Sequence, residues 1–214
     1  MKFPRHPEII QGKIRRLLRL DAYERKESEA ALQIVRPEDV VVELGGGIGY
    51  MSTLVSTKRQ VKSVHVFEAN ARLISYMKSV HAANGVKNAH VTNAIMGSRK
   101  GQVDFYVREP MLGSSMQILE GELDPPSIKV DVLPAKRTFR DIEASVLICD
   151  IEGAEVDLIP SIDLTGLRAA IVETHPQWIG SEGINKVFTA FMEAGFSYYH
   201  RGSEGKVLVF RKHW

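Results

Sequence analysis

Short runs of β-branched and other apolar residues alternate along the chain with segments in which apolar residues recur every three or four positions. The runs predict buried strands, and the periodic segments predict helices. The predicted core strands, in chain order, cover residues 40–44, 63–68, 90–93, 145–150 and 169–173. The predicted helices cover residues 8–20, 24–35, 50–58, 70–83, 154–160 and 183–194.

This alternation predicts a doubly wound α/β fold, because a strand, a crossover helix and the next strand form a right-handed parallel unit. Further strands are predicted at 103–107 and 127–133. At the C-terminus, segments 196–200 and 206–211 flank the turn R-G-S-E-G, which predicts a hairpin. We expect a mostly parallel, seven-stranded sheet with a C-terminal antiparallel hairpin, in which only the strand near 206–211 runs antiparallel to its core neighbours.

The helices before the first strand predict an N-terminal helical cap over residues 1–36, followed by one α/β domain over residues 37–214. Within that domain, residues 109–135 are rich in Pro and Gly and lack a clear period. We therefore expect an excursion near the functional site there. Ser114 and Ser115 could contact a substrate, but solvent-exposed loop positions are the default interpretation of both.

The composition is that of an ordinary globular protein, with 44% hydrophobic and 25% charged residues and a net charge of +2. The single cysteine, Cys149, excludes an intrachain disulfide and a CxxC zinc cluster, and this usage is typical of a reducing compartment. No apolar run approaches the roughly 18 residues that a membrane span needs, and residues 1–20 lack the apolar core of a secretory signal. We therefore expect a cytoplasmic protein.

A glycine-rich turn, E-L-G-G-G-I-G-Y at residues 43–50, follows the first predicted strand. Its G-x-G-x-G spacing differs from the G-x-G-x-x-G of dinucleotide-binding enzymes, and no Gly-Lys-Ser/Thr follows to make a P-loop. One acid, Glu43, precedes the glycines, and a second, Glu68, ends the next strand 25 residues later. A carboxylate at that strand end can accept hydrogen bonds from a ribose diol.

The glycine turn together with these two acids resembles motif I and the second-strand acid of class I S-adenosylmethionine-dependent methyltransferases, over about residues 24–211. A second run, D-I-E-G-A-E at residues 150–155, resembles the D-x-E-G-x-E signature of the FkbM family. The sequence departs from that family at Glu43, where Asp is more frequent, and at Gly46-Gly47, where Ala-Asn is frequent. The order of the remaining matching segments also agrees: Tyr23-Glu24, V-F-E at 66–68, N-A-I at 93–95 and I-V-E-T-H-P at 171–176.

The resemblance implies S-adenosylmethionine as the cofactor. Glu43 would face the ammonium of its methionine part, Glu68 would hold the ribose diol, and Asp150 would lie beside the sulfonium and the acceptor. The remaining implied cofactor contacts are backbone approach at the glycines and adenine recognition after the third strand, and they involve Gly45, Gly47, Gly49, Asn93 and Ala94.

The candidate catalytic residues are His175, Asp150 and Glu152. Methyl transfer to a hydroxyl needs an aligned acceptor and a base, and a histidine after the fifth strand is a candidate base, with Glu173 as a candidate orienting partner. A purely structural role for His175 is equally open. Asp150, Glu152 and Glu155 could instead hold a divalent cation, but no histidine or second carboxylate cluster at ligand spacing accompanies them, so we predict no metal. For Glu155, a helix N-terminus explains an acid equally well.

The predicted function is O-methylation of a hydroxyl on a small molecule or glycan. A nucleic-acid methyltransferase is an alternative, because the first helix carries Lys13, Arg15, Arg16 and Arg19. We prefer a solvated basic face, because no N-P-P-Y run or aromatic-interleaved basic patch is present, and we do not expect a nucleic-acid partner. A non-catalytic ligand-binding module and a nicotinamide oxidoreductase are further alternatives. The acidic run with His175 argues against a non-catalytic module. The glycine spacing and the hairpin argue against an oxidoreductase.

Overall fold

A computed structural model describes residues 1–107 and 125–213 of the chain. Ser114 and Ser115 lie outside the described residues. The helices are α1 (Gly12–Arg19), α2 (Arg25–Ile34), α3 (Tyr50–Leu54), α4 (Ala71–Ala83), α5 (Ala135–Ile142), α6 (Glu155–Leu158) and α7 (Pro176–Glu193). The strands are β1 (Val40–Leu44), β2 (Ser63–Glu68), β3 (Ala89–Asn93), β4 (Ile95–Gly97), β5 (Gly101–Tyr106), β6 (Ser127–Pro134), β7 (Val146–Cys149), β8 (Ala169–Glu173), β9 (Ser197–Tyr198) and β10 (Val207–Arg211).

The main sheet has seven strands in the order β3-β2-β1-β7-β8-β10-β9. β10 runs antiparallel to both of its neighbours, and all the other pairs are parallel. The predicted doubly wound sheet and its C-terminal antiparallel hairpin are therefore confirmed. The central strand β1 is buried along its whole length, which explains why V-V-V-E-L reads as a continuous apolar run rather than an alternating one.

A second sheet of three strands, in the order β4-β6-β5, lies outside this prediction. β5 and β6 occupy the extra strands predicted at 103–107 and 127–133, and they pair antiparallel over six residues of each strand. The short strand β4 and helix α5 were not predicted. Helix α5 buries only Ala135 and Phe139, so its sequence carries too few apolar positions to show a period.

Helices cover both faces of the main sheet, because successive residues of its strands face opposite sides. Val42 and Leu44 of β1 pack into the layer that contains apolar residues of α5, α6 and α7: Phe139, Leu158, Val187 and Phe191. Val41 packs into the opposite layer, with residues of α2, α3 and α4: Ala30, Ile34, Met51, Leu54 and Met77. Helix α7 begins seven residues before its predicted start and is interrupted by non-helical backbone at Gly180, whose φ is +61°.

The two N-terminal helices differ in how they join the fold. Helix α2 buries Ala31 and Ile34 in the layer over the sheet, whereas α1 contains no buried residue. The segments around α1 are held by a third apolar cluster, in which Tyr23 lies 5.1 Å from Tyr50, measured between ring centroids. None of the helices among the described residues is long and apolar enough to cross a membrane.

At the amino ends of the central strands, the buried carboxylate of Asp39 forms an ion pair with the partly exposed side chain of Arg168. Arg168 Nε donates to Asp39 Oδ1 at 2.8 Å, and its Nη2 bonds Oδ2. The hydroxyl of Ser145 donates to Asp39 Oδ1 at 2.9 Å, and the amide of Arg36 donates to Oδ2 at 2.7 Å. Because these residues precede β1, β7 and β8, the pair ties together the starts of three neighbouring strands.

Candidate functional site

A cavity of about 840 Å³ lies at the carboxyl ends of the parallel strands, where open α/β sheets bind ligands. The predicted positions Gly45, Gly47, Glu68, Ala94 and Asp150 line it. Residues of α1 and of the small β4-β6-β5 sheet form further walls. The volume lies within the roughly 300–1,000 Å³ range of small-molecule and cofactor sites.

The carboxylate of Glu68 is fixed against the glycine turn. Its Oε2 accepts the backbone N–H of Gly47 at 2.8 Å, and its Oε1 accepts the N–H of Asn70 at 2.7 Å. Burial raises the pKa of Glu68, although these N–H groups favour the ionised form. Each carboxylate oxygen has a second lone pair, so Glu68 can still accept hydrogen bonds from a ligand in the cavity.

The three glycines predicted to contact the cofactor have different structural roles. Gly45 has a φ of +83°, and a Cβ there would lie 1.8 Å from the backbone oxygen of Asp150, so no side chain fits between the ends of β1 and β7. Gly47 has a φ of +51° and lines the cavity. Gly49 faces α4 instead, where a Cβ would lie 2.6 Å from Cγ of Met77, and it is not among the residues lining the cavity.

The two positions predicted to contact adenine also differ. Ala94 is buried and lines the cavity. Asn93 is not among the cavity-lining residues, and its side-chain amide donates to the backbone oxygens of Glu68 at 2.8 Å and Ala69 at 2.9 Å. Asn93 therefore secures the end of β2, and a direct adenine contact by its side chain stays a prediction.

On the other side of the cavity, His175 bridges the acidic run that follows β7. Its Nδ1 lies 3.0 Å from Oε1 of the fully buried Glu155, which also accepts the N–H groups of Ile151 and Gly153. Its Nε2 lies 3.1 Å from Oε2 of Glu152 and 3.6 Å from Oδ1 of Asp150. The predicted catalytic residues His175, Asp150 and Glu152 are thus brought together, although His175 is only 4% exposed and is not among the cavity-lining residues.

The charges around His175 determine its protonation state. Burial lowers the pKa of its imidazole, but the hydrogen bonds to Glu152 and Glu155 and the charges of Glu155 and Asp150 raise that pKa to about 10. Burial and the charges of Glu173 and Glu152 raise the pKa of Asp150, whereas His175 opposes that change. The surrounding carboxylates therefore favour the protonated form of His175. Its action as a general base stays a prediction and would require loss of that proton.

A second, small cavity of about 20 Å³ adjoins this cluster. Five carboxylate residues line it: Glu24, Glu27, Glu43, Asp150 and Glu173. No lysine or arginine within residues 1–107 and 125–213 lines it. Glu43 points here rather than into the large cavity, because its position in β1 faces the same side as Val41. It is 3% exposed, and its Oε2 has no hydrogen-bond partner in the part of the chain that the structure describes.

The resemblance aligned Glu24 with the family without giving it a role, and Glu27 was not predicted as a site residue. They lie in and before α2, whose packing on the sheet brings them to β7 and β8. Glu24 and Glu152 both adopt left-handed backbone conformations, with φ of 44° and 54°, which are strained for residues other than glycine. Such strain is concentrated at functional sites, and a local sequence pattern does not indicate it.

We expect a Glu43→Gln variant to gain stability relative to the natural chain as pH rises. Burial and the charge of Glu68 raise the pKa of Glu43 to about 8, against opposing hydrogen bonds from Ser52. The native state therefore keeps a proton that the unfolded state has lost, so its stabilising contribution is complete below about pH 4.5 and is lost as pH rises through about 8. Glutamine stays neutral at every pH, so the variant does not lose this stability as pH rises. Urea unfolding at pH 5 and pH 9 should show a relative gain of at least about 1.4 kcal/mol.

The matched control for this measurement is Glu38→Gln, which changes an exposed acid near the start of the same strand. Its difference from the natural chain should be the same at both pH values. If Glu43→Gln also shows no pH-dependent difference, then Glu43 titrates normally in the folded protein and the small cavity tolerates its charge.

No protein-family model matches this chain, and no curated protein matches it in sequence. Solved structures do match. A precorrin-6y C5,15-methyltransferase from Geobacter metallireducens GS-15 aligns with a TM-score of 0.54 at 10% identity, over 99% of this chain and 94% of that chain. An FkbM methyltransferase from Methylobacillus flagellatus KT aligns with a TM-score of 0.56 at 12% identity, over 86% of this chain and 47% of that one.

A candidate tRNA (m1A22) methyltransferase from Streptococcus pneumoniae, solved in complex with S-adenosyl-L-methionine, aligns with a TM-score of 0.52 at 12% identity, over 87% of this chain and 72% of that chain. Likeness at these identities establishes the fold alone: this chain has the Rossmann-like fold of class I methyltransferases. This chain spans about half the length of the FkbM structure. Membership of the FkbM family stays a prediction.

Proposed function

We propose that this chain is an S-adenosylmethionine-dependent methyltransferase of the FkbM type, which methylates a hydroxyl group on a small molecule or glycan. The observation that carries the proposal is the arrangement of one cavity. The Glu68 carboxylate and the glycine turn lie on one side of it, and the carboxylates of Asp150, Glu152 and Glu173 line another part of its wall.

The residues of this cavity fit the chemical groups of S-adenosylmethionine. Glu68 keeps free lone pairs for the two hydroxyls of a ribose, and Gly45 and Gly47 leave the backbone accessible. Phe67 and Ala94 provide apolar surface next to Glu68 for an adenine ring. Asp150 places a carboxyl group on the wall of the large cavity for the sulfonium and the methionyl ammonium, and Glu43 lies behind it in the small cavity. Asp150, which lines this cavity, has a buried carboxylate oxygen without a hydrogen-bond partner among the described residues, as expected for a group that awaits a ligand.

When bound, S-adenosylmethionine supplies a methyl group whose bond to sulfur breaks as its bond to the acceptor oxygen forms. The contribution of the chain is to orient the acceptor and to take its proton. Glu152 lines the cavity and carries a carboxylate for that proton, and His175 behind it fixes the Glu152 side chain through Nε2. His175 in turn is held by Glu155, so in this proposal it acts as a positioning residue.

A nucleic-acid acceptor is the second candidate, and the placement of two cations favours it. Lys13 of α1 and Arg99, which follows β4, are both exposed and both line the large cavity. Phosphates bind such positions, in a manner that weakens with salt. A phosphorylated or carboxylated small molecule would use the same two cations, so the test of the proposal includes RNA among its acceptors.

The proposal is tested first by ligand binding and then by an acceptor panel. S-adenosylmethionine and S-adenosylhomocysteine should raise the unfolding temperature, while NAD and ATP should not. A ligand at about 100 times its Kd stabilises the native state by roughly 2.7 kcal/mol. Methyl transfer is then followed with radiolabelled cofactor on hydroxylated small molecules, glycans and total RNA. Absence of cofactor binding overturns the proposal. If only RNA becomes labelled, the acceptor is a nucleic acid and not a small molecule or glycan.

We expect Glu68→Ala to weaken the binding of S-adenosylmethionine about 10- to 100-fold. The variant removes charge-assisted hydrogen bonds to the ribose diol, which are worth about 1.5–3 kcal/mol. Glu68 ends a strand and does not fill the apolar core, so the fold should remain. Isothermal titration calorimetry measures the affinity, and circular dichroism confirms folding.

Glu68→Gln serves as the conservative comparison, because it keeps the shape and one acceptor oxygen but removes the charge. Its affinity should lie between those of the natural chain and Glu68→Ala. Equal affinity in all three proteins would show that Glu68 only supports the turn through Gly47 and does not hold the ribose.

A further inference from the structure

The structure brings together three side chains that are separated in the sequence: Asp150, Glu173 and His175. One potential ligand atom from each lies within 4.8 Å of the other two. Asp150 follows β7 and Glu173 ends β8, and these two strands are parallel neighbours with Cys149 paired to Val172. The sequence predicted no metal because no histidine accompanied the acidic run at ligand spacing. The pairing of β7 and β8 supplies both that histidine and a second carboxylate.

We propose that Asp150, Glu173 and His175 bind a divalent transition-metal cation at the carboxyl ends of β7 and β8. The site stands on its ligand geometry, whatever reaction the protein catalyses.

The orientation of His175 is that of a metal-binding histidine. Nδ1 lies 3.0 Å from the fully buried Glu155 carboxylate, which is itself held by two backbone N–H groups. A carboxylate behind one ring nitrogen is the usual outer support of a histidine ligand, because it fixes the ring and directs the other nitrogen to the metal. Here the other nitrogen, Nε2, lies 3.1 Å from Glu152 Oε2 and 3.6 Å from Asp150 Oδ1. A bound cation would replace the proton on Nε2, which is released to solvent, because only a deprotonated imidazole nitrogen binds a metal.

A second, independent observation is the unsatisfied polar surface next to these ligands. Asp150 Oδ1 is buried and has no hydrogen-bond partner among the described residues. Glu43, which is 3% exposed, has a carboxylate oxygen without a partner among the described residues, and it lines the small cavity together with Asp150 and Glu173. That cavity of about 20 Å³ is large enough for a single water or ion. Buried polar atoms are rarely left without partners, so a cation or its water at this place accounts for both.

The types of ligand indicate which cation binds. Magnesium and calcium prefer all-oxygen sites, whereas an imidazole together with carboxylates suits manganese, iron or zinc. The three side chains leave further coordination positions open. Glu152 lines the large cavity beside the site and is not needed as a ligand.

The role of the cation rests on the proposed function. A cation between Asp150 and Glu173, which both line the large cavity, would bind the acceptor oxygen and lower the pKa of its hydroxyl. Glu152 would then take the released proton.

The test measures Mn²⁺ binding to the full chain. The protein is first treated with a chelator, and the chelator is then removed. Calorimetry should give one Mn²⁺ per chain, and Asp150→Asn and His175→Gln should each weaken the affinity roughly tenfold or more. Electron paramagnetic resonance should show ¹⁴N hyperfine coupling from an imidazole to the bound Mn²⁺. That coupling should disappear in His175→Gln. A structural change that left His175 as a ligand would not remove it.

The matched control is Asp157→Asn, which removes an exposed carboxylate from the wall of the same large cavity but not from the proposed ligands. It should bind Mn²⁺ like the natural chain. The proposal is overturned if neither Mn²⁺ nor Zn²⁺ binds at a ratio of one per chain, or if Asp150→Asn binds Mn²⁺ as tightly as Asp157→Asn does. S-adenosylmethionine binding is measured separately on chelator-treated protein, so a missing metal and a missing cofactor are distinguished.

Discussion

A Glu152→Gln variant is expected to lose about 10²- to 10⁴-fold in kcat, because proton removal by a positioned side chain contributes that much to a rate. The carboxylate of Glu152 lines the large cavity, and its Oε2 lies 3.1 Å from Nε2 of His175. Glutamine keeps the length of the side chain and the left-handed backbone position, but it cannot accept the proton. The affinity for S-adenosylmethionine should change little, because Glu152 is not one of the proposed cofactor contacts, which lie at Glu68, the glycine turn and Asp150.

The measurement uses an acceptor found in the panel, with kcat from initial rates and cofactor affinity from calorimetry. Glu182→Gln, an exposed acid in α7, is the control for loss of one negative charge and should keep the natural kcat. Should Glu152→Gln turn over at the natural rate, Glu152 is not the proton acceptor, and His175 or Asp150 must be tested in its place.

The parts of the fold that were predicted correctly are those whose sequence pattern is local and strong. Buried parallel strands such as Val40–Leu44 and Ala169–Glu173 are continuous apolar runs, so their bounds follow from the sequence. The separate three-stranded sheet could not be recognised, because it depends on pairing between Ile95–Gly97 and a strand more than 30 residues later. A three-residue strand carries no periodicity.

The same difference separates the predicted from the unpredicted parts of the candidate site. The glycine turn and the acidic run after β7 are contiguous in sequence, and the structure places most of their named residues on the large cavity. The link from His175 to Glu155 and the approach of Glu24 to Asp150 depend on how β8 and α2 pack against β7. Sequence spacing contains no information about those contacts. Gly49 and Asn93 have packing and backbone hydrogen-bonding roles that a binding-turn pattern does not indicate, and their predicted cofactor contacts stay predictions.

An Arg168→Met variant is expected to lose up to about 3–5 kcal/mol of stability, because removing the partly exposed guanidinium leaves the charge of Asp39 buried without its cation. Asp39 is 1% exposed, so its carboxylate cannot be solvated in place of Arg168. For a chain of this length, that loss corresponds to a fall of about 6–20 °C in Tm. Thermal and urea unfolding measure both quantities. The strands that begin at this pair are those whose opposite ends carry Gly45, Asp150 and Glu173, so the variant should also bind S-adenosylmethionine less tightly near its Tm.

Two further variants separate the buried charge from the lost packing. Arg137→Met breaks an exposed pair with Asp141 on α5 and should cost about 0.5 kcal/mol or less, because exposed pairs contribute little. Asp39→Asn combined with Arg168→Met also removes the unpaired negative charge of Asp39. The double variant should therefore be more stable than Arg168→Met alone. If the double variant is instead as unstable as the sum of its two single substitutions, the two side chains do not act as a pair. The starts of β1, β7 and β8 would then be held by the hydrogen bonds of Ser145 and by apolar packing.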